Sequence, residues 1–128
     1  LPGPEWLAVS YAVDAPIMVG DTEVVRGTNS LADVMSWPTL ALRHPRGPLW
    51  DRAARLAAAR RPHAFVGHSF GASIASALAD MHQRPFAGYG RPGLGAALAG
   101  DVMNYDPVTM LMRGDRRPRV GHSLTSYG

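Results

Sequence analysis

The stretch Gly67-His68-Ser69-Phe70-Gly71 is the part of this chain best suited to chemistry. A serine hydroxyl is a weak nucleophile until a neighbouring base takes its proton. Gly-x-Ser-x-Gly spacing suits a sharp turn from a strand into a helix, where the serine is held in a strained backbone and nearby residues must be almost free of side chains. Gly67 and Gly71 supply that room, and Ala72 and Ser73 keep the next turn small. A helix opening at Ser69 would favour negative charge developing beside it. The competing reading makes Ser69 an ordinary helix cap whose glycines allow close packing. His68 adjoins Ser69 in sequence, but successive positions on an extended segment face opposite ways. A structural role is therefore expected for His68.

A serine nucleophile needs a base, and the base needs a carboxylate to orient it. After a strand–turn–helix nucleophile these follow in the order acid, then histidine. Downstream of Ser69 stand only His82 and His122. His82 falls about three helical turns away, roughly 20 Å by helical rise, and out of reach. His122 remains by elimination. Of the downstream aspartates, Asp80 meets the same objection, Asp101 opens a strand-like run, and Asp115 lies in an arginine-rich loop. Asp106 closes that run ahead of Pro107, at a strand end where the catalytic groups of parallel sheets collect. Asp106 is favoured and Asp115 is next; a turn-forming Asp-Pro is the bland alternative. An oxyanion would need two donors. One is the Phe70 backbone N–H; Arg26-Gly27-Thr28 offers a second through Thr28, an assignment the residues alone leave open.

The elements that must position these groups can be read from patterning. Trp6 to Tyr11 reads as a first strand, and Ile17–Val19, Gly20-Asp21 and Thr22–Val25 as a hairpin with a tight primed turn. Ser30 and Asp33 form a capping-box pattern opening a short helix to about Trp37. Pro38, Pro45 and Pro48 mark a loop, and Leu49 to Arg60 has helical spacing. His63 to Gly67 reads as a buried parallel strand, and Ile74, Ala75, Leu78, Met81 and His82 as one face of the following helix. Phe86 to Tyr89 and Asp101 to Tyr105 are further strands. This alternation predicts one α/β domain over 1–128, a largely parallel sheet flanked by helices.

In their order these segments resemble the class 3 lipases, the fungal-type lipase group of the α/β-hydrolases. Glu23-Val24-Val25-Arg26-Gly27-Thr28-Asn29-Ser30 is similar to that family's strand ending in Arg-Gly-Thr/Ser, and Gly67-His68-Ser69-Phe70-Gly71-Ala72 to its Gly-His-Ser-Leu-Gly-Gly. Gly88 to Gly95 is similar to its Phe-Gly-x-Pro-Arg-Val-Gly, and Asn104-Tyr105-Asp106-Pro107-Val108 to its Asn-x-Asp-x-Val. The resemblance runs from about residue 17. It implies a minimal three-layer α/β-hydrolase with a mainly parallel sheet, a Ser69–Asp106–His122 triad, and an oxyanion hole from Thr28 and the Phe70 amide. The implied reaction is cleavage of carboxylic esters through an acyl-enzyme, without a cofactor. Leu31 to Trp37 occupies the place of the family's lid helix, so Leu31, Val34, Met35 and Trp37 could face substrate, although ordinary core is the preferred reading. Ala72 replaces the usual glycine, Arg91-Pro92 inverts the usual Pro-Arg, and only 15 residues lie between Asp106 and His122. That leaves little chain for a lid or acyl groove, so a small or medium acyl ester is expected ahead of a lipid ester. Thioester or peptide cleavage on the same triad, or a non-catalytic module keeping the fold, are the alternatives.

Composition narrows the partners. The net charge is +3 and every basic residue is arginine, but the arginines are scattered apart from Arg113 and Arg116-Arg117-Pro118-Arg119. A nucleic-acid face would gather them with aromatics between, so none is expected. With no cysteine there is neither a disulfide nor a thiolate nucleophile. No His-x-x-x-His spacing suggests a metal site. Gly88-x-Gly90-x-x-Gly93 matches the dinucleotide pattern, but Pro92 removes an amide that pyrophosphate would need. No apolar run is long enough to span a bilayer and no signal peptide is visible. Transient contact with a membrane or lipid surface, the compartment and the oligomeric state stay open.

Overall fold

The structure, a computed structural model, describes residues 2–36, 46–90 and 101–102. Helix α1 (Glu5–Ala12) comes first, then strands β1 (Ile17–Val19) and β2 (Thr22–Val25) and the short helix α2 (Leu31–Met35). Helix α3 (Pro48–Arg60), β3 (Ala64–His68), α4 (Phe70–His82), β4 (Phe86–Tyr89) and β5 (Asp101–Val102) complete the order.

The expected strand at Trp6–Tyr11 is instead α1. Pro4 sits at its N-cap and Glu5 in its first turn, both compatible with a helix start. Its buried residues are Leu7 and Ser10, three apart, with Tyr11 half-buried beside them. That is the i, i+3, i+4 stripe of a helix.

The β1–β2 hairpin forms as read, with Ile17 opposite Val24 and Val19 opposite Thr22. Gly20 has φ 61° at the first turn position, where a tight hairpin turn of the II′ kind needs a residue without a Cβ. The strands form one sheet in the order β1-β2-β3-β4-β5. The sheet is mixed: β1 and β2 are antiparallel, whereas β2–β3, β3–β4 and β4–β5 are parallel. The predominantly parallel sheet expected from the sequence is modified by this edge hairpin.

Helices cover both faces. On one, Val25 and Phe65 pack with Leu49, Ala53 and Ala57 of α3 and with Phe70, Ile74, Ala75 and Leu78 of α4. On the other, Leu7 of α1 packs with Val24, Val66 and Tyr89. Burying side chains of this size stabilises by roughly 1.5–3 kcal/mol each, which ties α4 firmly to the centre of the sheet. Met81, expected on the buried face of α4, is exposed, and His82 is exposed with its ring stacked on Phe65. No helix among the described residues is long and apolar enough to cross a membrane.

Candidate functional site around Ser69

Strand β3 ends at His68 and α4 begins at Phe70, so the reversal between them is made at Ser69 alone. Its backbone lies at φ 54°, ψ −124°, a region that L-residues avoid and that costs on the order of 1–3 kcal/mol. The surroundings hold it there. The Ser69 N–H donates to the Tyr89 carbonyl at 2.9 Å, and its own carbonyl accepts the Ala72 N–H at 2.9 Å. Its hydroxyl makes no capping hydrogen bond to α4. Ser69 starts the helix through its backbone carbonyl and not through its side chain.

The glycines act as the spacing suggested. A Cβ on Gly67 would come 2.6 Å from the Ala72 Cα, and one on Gly71 would run into the Val25 and Arg26 carbonyl oxygens. Gly71 therefore lets the first turn of α4 rest on the end of β2. Gly27 is just as confined: its Cβ would meet the Tyr11 hydroxyl, lie 2.7 Å from the His68 carbonyl oxygen and 3.1 Å from the Ser69 Cβ. The Arg26-Gly27-Thr28 segment thus lies against the Ser69 turn. Thr28 is half-buried in that segment, and the Phe70 amide heads α4, where the first N–H groups have no intrahelical acceptor.

Two clusters around the turn went unread in the sequence. Tyr11 of α1 places its hydroxyl 2.7 Å from His68 Nδ1, with the two rings edge to face. Burial pushes the Tyr11 hydroxyl up to about 12, opposed by the Gly27 backbone hydrogen bond and the Arg26 charge. Tyr11 is therefore neutral at ordinary pH. The Tyr11 hydroxyl and His68 Nδ1 share one hydrogen bond, whose direction is set by the histidine tautomer. His68 is a buried, tethered residue, as its position in the strand suggested.

The second cluster surrounds Arg26, which is 3% exposed. Its NH1 donates to the Gly27 carbonyl and to Asp33 Oδ2, both at 2.7 Å, and its NH2 pairs with Asp14 Oδ1 at 3.0 Å. Asp33 Oδ2 also accepts the Asn29 N–H at 2.9 Å, and Asn29 Nδ2 donates to Asp14 Oδ1 at 2.8 Å. The capping pattern at Ser30 is half fulfilled. The Asp33 N–H donates to Ser30 Oγ at 3.3 Å, but the Asp33 carboxylate turns to Arg26 and Asn29. Arg26 had been noticed only as part of a loop motif, and Tyr11 was hidden by reading α1 as a strand.

Of the other residues expected at the site, Leu31 opens α2 and Met35 closes it. Met35 is 72% exposed, so the core alternative does not describe it. Trp37, Asp106, Asp115 and His122 lie outside the described residues. Of the strand expected from Asp101 to Tyr105, β5 comprises Asp101–Val102, and Val102 is level with Tyr89 and, through it, with His68. Because β5 is parallel to β4, it runs toward the sheet edge that carries Ser69. Among the described residues, no three His, Asp or Glu side chains gather as a metal site would need. Comparison with protein-family models, curated proteins and solved structures gave no match.

Proposed function

We propose that the chain is a serine hydrolase that cleaves carboxylic esters through an acyl-enzyme at Ser69. The observation carrying this reading is the Ser69 backbone at φ 54°, ψ −124°, at the single-residue junction of a buried strand and a buried helix, with its hydroxyl not used as a cap. That conformation is costly, and such cost persists where the surroundings enforce it and a function uses it. The glycine-lined approach of Arg26-Gly27-Thr28 to the turn is the second support.

In this mechanism the Ser69 oxygen attacks the ester carbonyl carbon while its proton passes to the imidazole of His122, oriented by Asp106. The carbonyl π electrons move onto oxygen, and the oxyanion is held by the Phe70 N–H and Thr28. Collapse expels the alcohol, which takes the proton from His122, and water repeats the sequence to release the acid. A small or medium acyl group is the preferred substrate, with Leu31, Met35 and Trp37 as contacts for it. Thioester or peptide cleavage would use the same groups.

The test is covalent labelling of the intact protein by a fluorophosphonate, which should add one phosphonyl group to the wild type and none to Ser69→Ala. The companion measurement is p-nitrophenyl ester turnover against acyl length, which His122→Ala should abolish and His82→Ala should largely retain. An unlabelled wild type, or labelling that persists in Ser69→Ala, would end the hydrolase reading.

A further inference from the structure

The Arg26 cluster holds more charge than an ordinary loop anchor needs. A guanidinium taken out of water loses several kcal/mol of hydration, and a buried ion pair often does no better for stability than apolar packing. Arg26 Nε is buried with no hydrogen-bond partner among the described residues, which adds to that cost. What the arrangement does achieve is geometric.

Arg26 NH1 takes the carbonyl of Gly27, and that carbonyl belongs to the peptide unit whose N–H is Thr28's. The unit is planar, and no cis bond occurs among the described residues. Fixing the carbonyl toward Arg26 therefore directs the Thr28 N–H the opposite way. The next peptide is fixed at its own N–H, because Asn29 N donates to the same Asp33 oxygen that Arg26 holds. Both peptide planes flanking the Thr28 Cα are thus set by one ion pair, and Asp14 and Asn29 brace it from outside.

We infer that Arg26 is a positioning residue: through Asp33 and the Gly27 carbonyl it fixes the direction in which Thr28 presents its donors to an oxyanion at Ser69. This rests on the ester-hydrolase reading above and adds to it a residue that touches neither substrate nor nucleophile. A donor direction fixed before substrate arrives needs no reorganisation when charge develops. The effect belongs to the transition state, so its loss should appear in kcat and leave KM nearly unchanged.

The experiment compares wild type, Arg26→Met and Arg26→Lys on a short p-nitrophenyl ester, with folding checked by circular dichroism and melting. Arg26→Met should lower kcat by roughly 100-fold with KM within about threefold. Arg26→Lys keeps the charge but not the fork and should recover about tenfold of that loss. A trifluoromethyl ketone, which binds serine hydrolases as an anionic hemiketal, should weaken in step with kcat/KM. A folded Arg26→Met with kcat within threefold of wild type overturns the inference, as does a fall in kcat with unchanged trifluoromethyl ketone affinity. If Arg26→Met does not fold, Arg26→Lys decides by the same two criteria, since a tenfold kcat loss is expected of it. Failure of the wild type to react with fluorophosphonate removes the hydrolase reading and this inference together. A reactive wild type with unaffected Arg26 variants removes this inference alone.

Discussion

Substituting Glu23 by glutamine should remove most of the loss of stability that the protein suffers between pH 5 and pH 8. Glu23 lies in the middle of β2, fully buried, and neither carboxyl oxygen has a hydrogen-bond partner among the described residues. Burial alone raises its pKa from 4.5 to about 8. In the unfolded chain the group ionises near its ordinary value, so between the two values the unfolded state binds fewer protons than the folded one. Stability then falls as pH rises, by up to roughly 1.4 kcal/mol per unit. The contribution is complete below pH 4.5 and is lost through pH 8. From pH 5 to pH 8 the wild type should lose roughly 3–4 kcal/mol from this group. Glutamine matches the shape of the protonated acid but does not titrate, and comparison with it cancels every other group. Urea unfolding from pH 5 to pH 9, followed by far-ultraviolet circular dichroism, should show near-equal midpoints at pH 5. The Glu23→Gln midpoint should be higher by roughly 2 M at pH 8, for a slope of about 2 kcal/mol/M. Stability curves that stay parallel across that range would refute the reasoning and show that the carboxylate is solvated or paired.

Two further outcomes follow from the nucleophile turn. Ser69→Gly should raise stability by about 1 kcal/mol over Ser69→Ala, because glycine accepts the Ser69 backbone angles without penalty; equal denaturant midpoints would show that the turn stores no strain. Gly27→Ala should cost about 1–3 kcal/mol by overpacking, since its Cβ would lie 2.7 Å from the His68 carbonyl oxygen. The same change should slow fluorophosphonate labelling at least about tenfold by forcing the Thr28 loop away from Ser69. Labelling at the wild-type rate would show that the loop takes no part in the reaction.

The elbow was legible because its signals are local. Glycine spacing, an apolar run before Ser69 and helical periodicity after it all lie within a few residues, and β3 and α4 formed where they were expected. The β1–β2 hairpin was legible for the same reason, since Gly20-Asp21 allows few other turns. Helix α1 was misread as a strand: Trp6-Leu7-Ala8-Val9-Ser10-Tyr11 is short and rich in strand-forming residues, while its burial follows a helical stripe. That error concealed Tyr11, whose contact with His68 joins residues 57 apart. The Arg26 cluster was illegible for a different reason. Asp14, Asn29 and Asp33 each look like turn or cap residues, and only the fold brings them around one guanidinium. Glu23 carries no local signal of its burial, since a carboxylate in a hairpin arm is ordinarily solvated, whereas all four residues of β2 are buried.

The order of strands across the sheet repeats their order along the chain. Each described strand can therefore join an edge already in place, and none has to be threaded between two that have paired. Neighbouring pairs close comparatively short loops, a topology associated with faster folding. Strand β3 has one neighbour earlier in the chain and the other later. The Ser69 amide finds its acceptor at Tyr89, on the later one. The hairpin and α1 can assemble as a platform while the chain is still incomplete, but the strained turn at Ser69 acquires that hydrogen bond only when β4 docks. The backbone angles at Ser69 are thus secured by a strand that lies later in the chain than the turn itself.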